Sequence, residues 1–121
     1  MPNILYIMTG GALGALMRYG VAQLGSRLVP TAPWAGTFAA NLLGCLLLGL
    51  LTGLGLRHPA IPRGVLLMLT TGMCGAFTTF STFSSETVRM MEQGHTLQAF
   101  LYVAVSILLG LALFYLGKQI A

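Results

Sequence analysis

A chain of 121 residues that is 56% hydrophobic and only 7% charged cannot build a water-facing surface, since soluble domains carry about 25% charged residues. Its net charge of +4 comes from six basic and two acidic side chains, and no nucleic-acid partner is expected. Enzyme chemistry has no support either, because the chain holds no nucleophile motif or phosphate loop, and His58 and His95 fall in loops without a cluster of metal ligands.

Four stretches reach the roughly 20 consecutive apolar residues that a bilayer-spanning helix needs, at about 4–25, 34–56, 64–86 and 97–117. The expected fold is therefore an all-α integral membrane protein, a single four-helix transmembrane domain with both termini on one side. Between Met1 and Met17 there is no Lys or Arg, so the first stretch lacks the positive flank of a secretion signal and is read as a membrane helix. It carries Gly10 and Gly14 four apart, contains Arg18, and ends before Ser26, Arg27 and the turn residues Pro30 and Pro33. An intramembrane charge costs about 2.5 to 3.5 kcal/mol at the helix centre, which makes it a functional candidate. Arg18 has two readings: it snorkels or bonds helix-end carbonyls, or it attracts an anion.

The second stretch repeats the small-residue spacing at Gly36, Ala40 and Gly44 and at Gly49 and Gly53, a pattern that lets helix backbones approach closely in lipid. Asn41 lies about a third of the way in. Its amide offers N–H donors that replace water around an anion, or it makes an interhelical hydrogen bond. The helix stops at Arg57, His58 and Pro59, and the segment RHPAIPR is a tight polar connection. Cys45 and Cys74 both fall inside spans and are expected to be packing residues.

The third stretch is the most informative, running Gly72, Met73, Cys74, Gly75, Ala76, Phe77, Thr78, Thr79, Phe80, Ser81, Thr82, Phe83, Ser84, Ser85, Glu86. Glycine and threonine are mediocre helix formers, and hydroxyl side chains bond the backbone locally. A break between Gly75 and Thr79 is predicted. Freed carbonyls at membrane depth are tolerated where they are buried or line a cavity, and they can coordinate a cation. Phe77, Phe80 and Phe83 recur every three residues, which places them near one face of a continuous helix. Such a stripe packs, or it turns the positive ring edges toward an anion. Glu86 is expected to be a helix-end acceptor for nearby hydroxyls, with a proton carrier as the other reading. The fourth stretch follows TVRMMEQGHT and is closed by Lys118.

Orientation follows the Lys and Arg bias between loops. Arg57, Arg63 and Lys118 on the terminal side stand against Arg27 and Arg89 on the other, three against two with Arg18 set aside as intramembrane. Such a balance lets the chain insert both ways, and an antiparallel homodimer is the resulting expectation.

The segments GGALGALMRY, GTFAANLLGCLLLG and GMCGAFTTFSTFSSE closely resemble the Fluc family of fluoride channels, also called CrcB proteins, along essentially the whole chain. The resemblance implies a dual-topology homodimer with fluoride as its partner, embedded in the lipid of a microbe's inner or plasma membrane and letting fluoride leave the cytoplasm passively. It implies third helices that are broken and cross around a structural sodium ion held by the backbone carbonyls of Gly75 and Thr78. It makes Asn41 the pathway donor, Phe80 and Phe83 the aromatic edges, and Ser81 and Thr82 hydroxyls associated with Glu86, with Thr79 in support. Tyr102 and Ser106 match the polar track of the last helix, and Gly110 continues their spacing without a hydroxyl. Arg18 matches the family's first-helix arginine.

Two other readings compete. Small proton-coupled exporters share four short helices and dual topology, but their coupling carboxylate lies in the first helix, where this chain has only Arg18. A non-conducting assembly subunit would leave Asn41 and the Thr/Ser-Phe run without a task.

Overall fold

The computed structural model describes residues 2–121, and all the regular secondary structure among them is helical. Its elements are α1 (Pro2–Leu28), α2 (Ala35–Arg57), α3 (Arg63–Leu67), a π-helical segment (Met68–Cys74), α4 (Gly75–Phe77), α5 (Phe80–Glu92) and α6 (Thr96–Ile120). Four runs are long and apolar enough to cross a membrane: Asn3–Leu28, Ala35–Arg57, Arg63–Glu92 and Thr96–Ile120.

Local chemistry explains where the second and third runs stop. α2 closes at Arg57 because His58 precedes Pro59, and a residue before proline is driven out of helical geometry. α5 starts with Thr79 as its cap, whose hydroxyl accepts from the Thr82 N–H at 3.2 Å. Its other end is a glycine-terminated turn: Gly94 takes φ 83°, and the N–H groups of His95 and Gly94 return to the carbonyls of Met90 (2.8 Å) and Met91 (3.1 Å). α5 thus runs past the apolar limit at Glu86 to Glu92. Residues 87–92 are too polar to extend a hydropathy span, yet Met90 still buries its side chain.

α2 lies along α6, and α1 lies along the π-helical segment. Glycines set both seams. A Cβ on Gly49 would strike the Phe114 carbonyl, and one on Gly117 would sit 2.6 Å from the Leu46 carbonyl. On the opposite side, Gly10 and Gly14 face the carbonyls of Met68 and Met73, and a Cβ on Gly72 would lie 2.7 Å from the Ile7 carbonyl. The small-residue spacing is thus used for backbone-to-backbone contact, where dispersion replaces the missing hydrophobic drive between helices in lipid. Within the π-helical segment the Thr70 hydroxyl donates to the Leu66 carbonyl at 2.6 Å, a local bond of the kind that competes with the α-helical ladder.

The buried interior is correspondingly thin. Met90, Ala99 and Tyr102 form one cluster, joined by the partly buried rings of Trp34, Phe38 and Phe83. Large apolar side chains face outward along α1 (Leu5, Met8, Leu16, Tyr19) and α6 (Phe100, Leu108, Leu111, Tyr115). A bilayer is the solvent such surfaces require.

Candidate functional site

The site begins at the interruption of the third run. Helical backbone ends at Phe77, Thr78 is extended with φ −82° and ψ 157°, and Thr79 is extended with φ −149° and ψ 120°. Breaking a ladder at this depth strands N–H and C=O groups, each costing several kcal/mol if left bare in hydrocarbon. Asn41 answers for Thr79 on both sides of its peptide units. Its Oδ1 accepts from the Thr79 N–H at 2.8 Å, and its Nδ2 donates to the Thr79 carbonyl at 3.2 Å. Arg18 answers one turn earlier, donating through Nε to the Ala76 carbonyl at 3.1 Å. Of the two readings for Arg18, the carbonyl-bonding one describes this contact.

The Asn41 clamp has a second effect. In an unbroken helix the Thr79 N–H would serve the Gly75 carbonyl; here it is turned away to Asn41. The Thr78 N–H and hydroxyl both go to Cys74, each at 3.1 Å. Among the described residues no hydrogen bond reaches the carbonyls of Gly75, Phe77 or Thr78 outside regular helix.

A cavity of about 630 Å³ opens against this interruption. It is lined by Asn41, Gly75, Thr78, Thr79, Phe80, Phe83 and Ser106, together with Gly44, Cys45, Leu48, Thr70, Thr71, Cys74 and Ile107. The Ser106 hydroxyl is buried and has no partner among the described residues, so its donor is available to whatever enters. Cys45 and Cys74 are free thiols in the same wall.

Beyond Phe83 lies a carboxylate station. Glu86 accepts from the Thr37 hydroxyl at 3.0 Å and from the Tyr102 hydroxyl at 2.9 Å, tying α2, α5 and α6 together. Rings frame it: Phe83 and Tyr102 have centroids 4.9 Å apart, Trp34 and Tyr102 5.5 Å, and Phe80 and Phe83 6.0 Å.

Several expectations are corrected here. Glu86 lies inside α5, not at a helix end, because the helix continues to Glu92. Its hydroxyl partners are Thr37 and Tyr102, not Ser81 and Thr82. Those two sit instead at the start of α5 around Thr79, whose hydroxyl is 3.4 Å from that of Ser81, and neither lines the large cavity. Phe77, Phe80 and Phe83 do not form one stripe, because extended backbone separates Phe77 in α4 from the others. Phe77 is 2% exposed in the interior, whereas Phe80 is 80% exposed at the open side. At Gly110 the polar spacing of α6 meets the Cys45 sulfur, 3.3 Å from where a Cβ would stand.

Three further hydroxyls stand at the site that the sequence does not mark out: Thr37, Thr70 and Thr71. Thr37 carries a usable signal, since it precedes Asn41 by four residues and so shares its helix face.

The pattern of the CrcB-like protein family, Camphor Resistance (CrcB), matches residues 5–118. Relatives bearing the name fluoride-specific ion channel FluC include one from Flavobacterium psychrophilum, 39% identical over 121 residues covering 100% of this chain and 98% of that protein. One from Nitratidesulfovibrio vulgaris is 44% identical over 117 residues, covering 97% and 94%. One from Oceanobacillus iheyensis is 42% identical over 123 residues, covering 100% and 92%.

Proposed function

The chain belongs to the CrcB family, and we propose that it is a fluoride-specific ion channel, not an enzyme, that lets fluoride leave the cytoplasm through the cell membrane down its own gradient. The observation that carries this reading is full-length similarity to fluoride-specific channels in a chain whose cavity gathers Asn41, Phe80, Phe83 and Ser106.

The chemistry of the cavity suits a small anion. An ion leaving water needs replacement donors, and the wall offers the free Ser106 hydroxyl, the Thr71 hydroxyl and the second N–H of the Asn41 amide. Ring edges of Phe80 and Phe83 add weak positive potential. Binding of this kind is strong enough to admit an ion and weak enough to release it. Farther along, the Tyr102 and Thr37 hydroxyls spend their protons on Glu86, so a carboxylate closes this end of the donor wall.

The working unit on this reading is an antiparallel homodimer, with the interrupted third runs of two copies crossing at its centre. The near-balance of loop charges supports dual insertion, and the exposed Phe80 ring beside an open cavity supports a pathway completed by a second copy. A structural sodium ion fits the donor set. No hydrogen bond outside regular helix reaches the Gly75 and Thr78 carbonyls among the described residues, and Gly75 brings no side chain to crowd them. Hard cations take oxygen ligands, and such an ion would supply the positive charge that holds the interrupted backbones of two copies together.

Purified protein in liposomes should release fluoride and retain chloride, with no need for a proton gradient. Equal release of both anions would refute the selectivity, and release only under a proton gradient would favour the exporter. The exporter reading lacks its carboxylate in α1, where Arg18 is the ionisable residue of the membrane span and is committed to Ala76.

A further inference from the structure

A second, smaller cavity of about 120 Å³ is lined by Glu86, which does not line the large one, at the turn between α5 and α6. Its lining includes Thr31, Trp34, Glu86, Arg89, His95 and Gln98. This is room for several waters. Where the large cavity holds no charged side chain, this one places a carboxylate and a guanidinium three residues apart on α5. Residues at that spacing have Cβ atoms about 5 to 6 Å apart on one face.

The two charges are used differently. Both oxygens of Glu86 already accept hydroxyls, from Thr37 and Tyr102. The Arg89 guanidinium makes no hydrogen bond or ion pair among the described residues, and it is exposed. A bare carboxylate at the end of an anion track would repel the ion it should pass. Hydroxyls alone do not cancel its charge; a neighbouring cation does.

On the channel reading above, we propose that this cavity is the mouth of the pathway at its Glu86 end, where a still-hydrated fluoride ion is received, and that Arg89 offsets the field of Glu86 there. The plainer role for Arg89 is that of a cation in the last turn of α5, favoured by the helix dipole. That role predicts an effect on stability that is indifferent to Glu86 and to flux. The mouth predicts a flux effect that depends on both Glu86 and salt.

The test is fluoride efflux from liposomes for Arg89→Gln, Arg89→Lys, Glu86→Gln and the Glu86→Gln/Arg89→Gln double variant, each first shown to be a dimer by gel filtration. Removing Arg89 also tilts the loop charges from three against two to three against one. Arg63→Gln is therefore added to rebalance insertion, and alone it should conduct normally. Arg89→Gln should slow efflux about threefold to fivefold at low ionic strength, the effect of one charge at a few ångströms in a watery mouth. Arg89→Lys should conduct nearly as the parent does. The deficit should fade at 1 M impermeant salt, where the Debye length is about 3 Å, and should shrink in the Glu86→Gln background. If Arg89→Gln does not assemble, Arg89→Met keeps the apolar stem and serves the same comparison. Unchanged low-salt flux in assembled Arg89→Gln, or a deficit of equal size with and without Glu86 and at both salts, overturns the proposal. Parent protein that conducts fluoride while these variants match it defeats this inference alone. Parent protein that conducts no fluoride defeats the channel reading, and this inference with it.

Discussion

Asn41→Asp separates the two tasks that the Asn41 amide performs. The carboxylate keeps an acceptor for the Thr79 N–H, now 2.8 Å away, but loses the donor to the Thr79 carbonyl at 3.2 Å. Loss of that bond costs about 1 kcal/mol, with somewhat more for the carbonyl left facing an oxygen. The interruption should hold, since one half of the clamp and nearly all of the side-chain volume remain. The effect on an anion is larger. A negative charge in the cavity wall about 5 Å from a passing ion raises its energy by about 3 kcal/mol at an effective dielectric constant near 20. At 1.4 kcal/mol per factor of ten, flux should fall about 200-fold. The assay is fluoride efflux from liposomes followed by a fluoride-selective electrode, on protein that elutes in gel filtration where the parent does. Efflux within about threefold of the parent would mean that Asn41 only braces Thr79 and that the anion passes elsewhere.

Phe83→Ile and Phe80→Ile keep apolar bulk at a cost of under about 1.5 kcal/mol, so at least one should assemble as the parent does and lose about tenfold or more in flux; normal flux through both would leave the rings as packing alone. Phe77→Ile is expected to act on stability instead, because that ring is fully interior, and a shifted thermal midpoint with retained flux would show it. Gly49→Val would drive a side chain into the Phe114 carbonyl, so folded protein should be lost in gel filtration, and undiminished yield would contradict the α2–α6 seam. Gly94→Ala, at φ 83°, should cost about 1 kcal/mol with flux preserved. A C-terminal tag should be reachable from both membrane sides, and a population more than about nine-tenths on one side would refute dual insertion.

Much of the helical arrangement was legible because lipid imposes a simple rule: about 20 apolar residues make a span, and Pro or Gly marks its end. The ends were less legible where a helix outlasts its apolar stretch, as α5 does beyond Glu86. Asn41, Phe80, Phe83, Gly75, Thr78 and Thr79 could be singled out as polar, aromatic or small residues in unexpected company, Ser106 only through the family resemblance, and one cavity gathers them. Hidden from the sequence were the partners. Nothing in the order of residues says that Glu86 bonds Thr37, forty-nine positions away, in preference to the hydroxyls of its own helix. The stripe of three phenylalanines failed for a specific reason: a three-residue period means one face only while the helix continues, and two extended residues reset the rotation.

The absence of formal charge from the large cavity carries the selectivity argument further than any single residue. Had a lysine stood about 4 Å from the passing ion, attraction near 4 kcal/mol at an effective dielectric constant of 20 would slow release by roughly a thousandfold. A resident carboxylate at the same place would bar access by as much. The chain keeps its two intramembrane charges out of that wall. Arg18 is spent on the Ala76 carbonyl, and Glu86 stands behind Phe83 with both oxygens occupied. What faces the cavity is neutral: hydroxyls, one amide, ring edges and thiols. Each is a weak ligand, and their number is what must compensate for lost water. Fluoride is small enough to be approached closely by several donors at once, while a larger halide meets fewer at longer distance. On the proposed reading, then, the interruption at Thr78 and Thr79 is the device that makes conduction possible. It turns a helix, whose polar backbone is sealed, into a place where hydroxyls and an amide can face an ion without a charge to trap it.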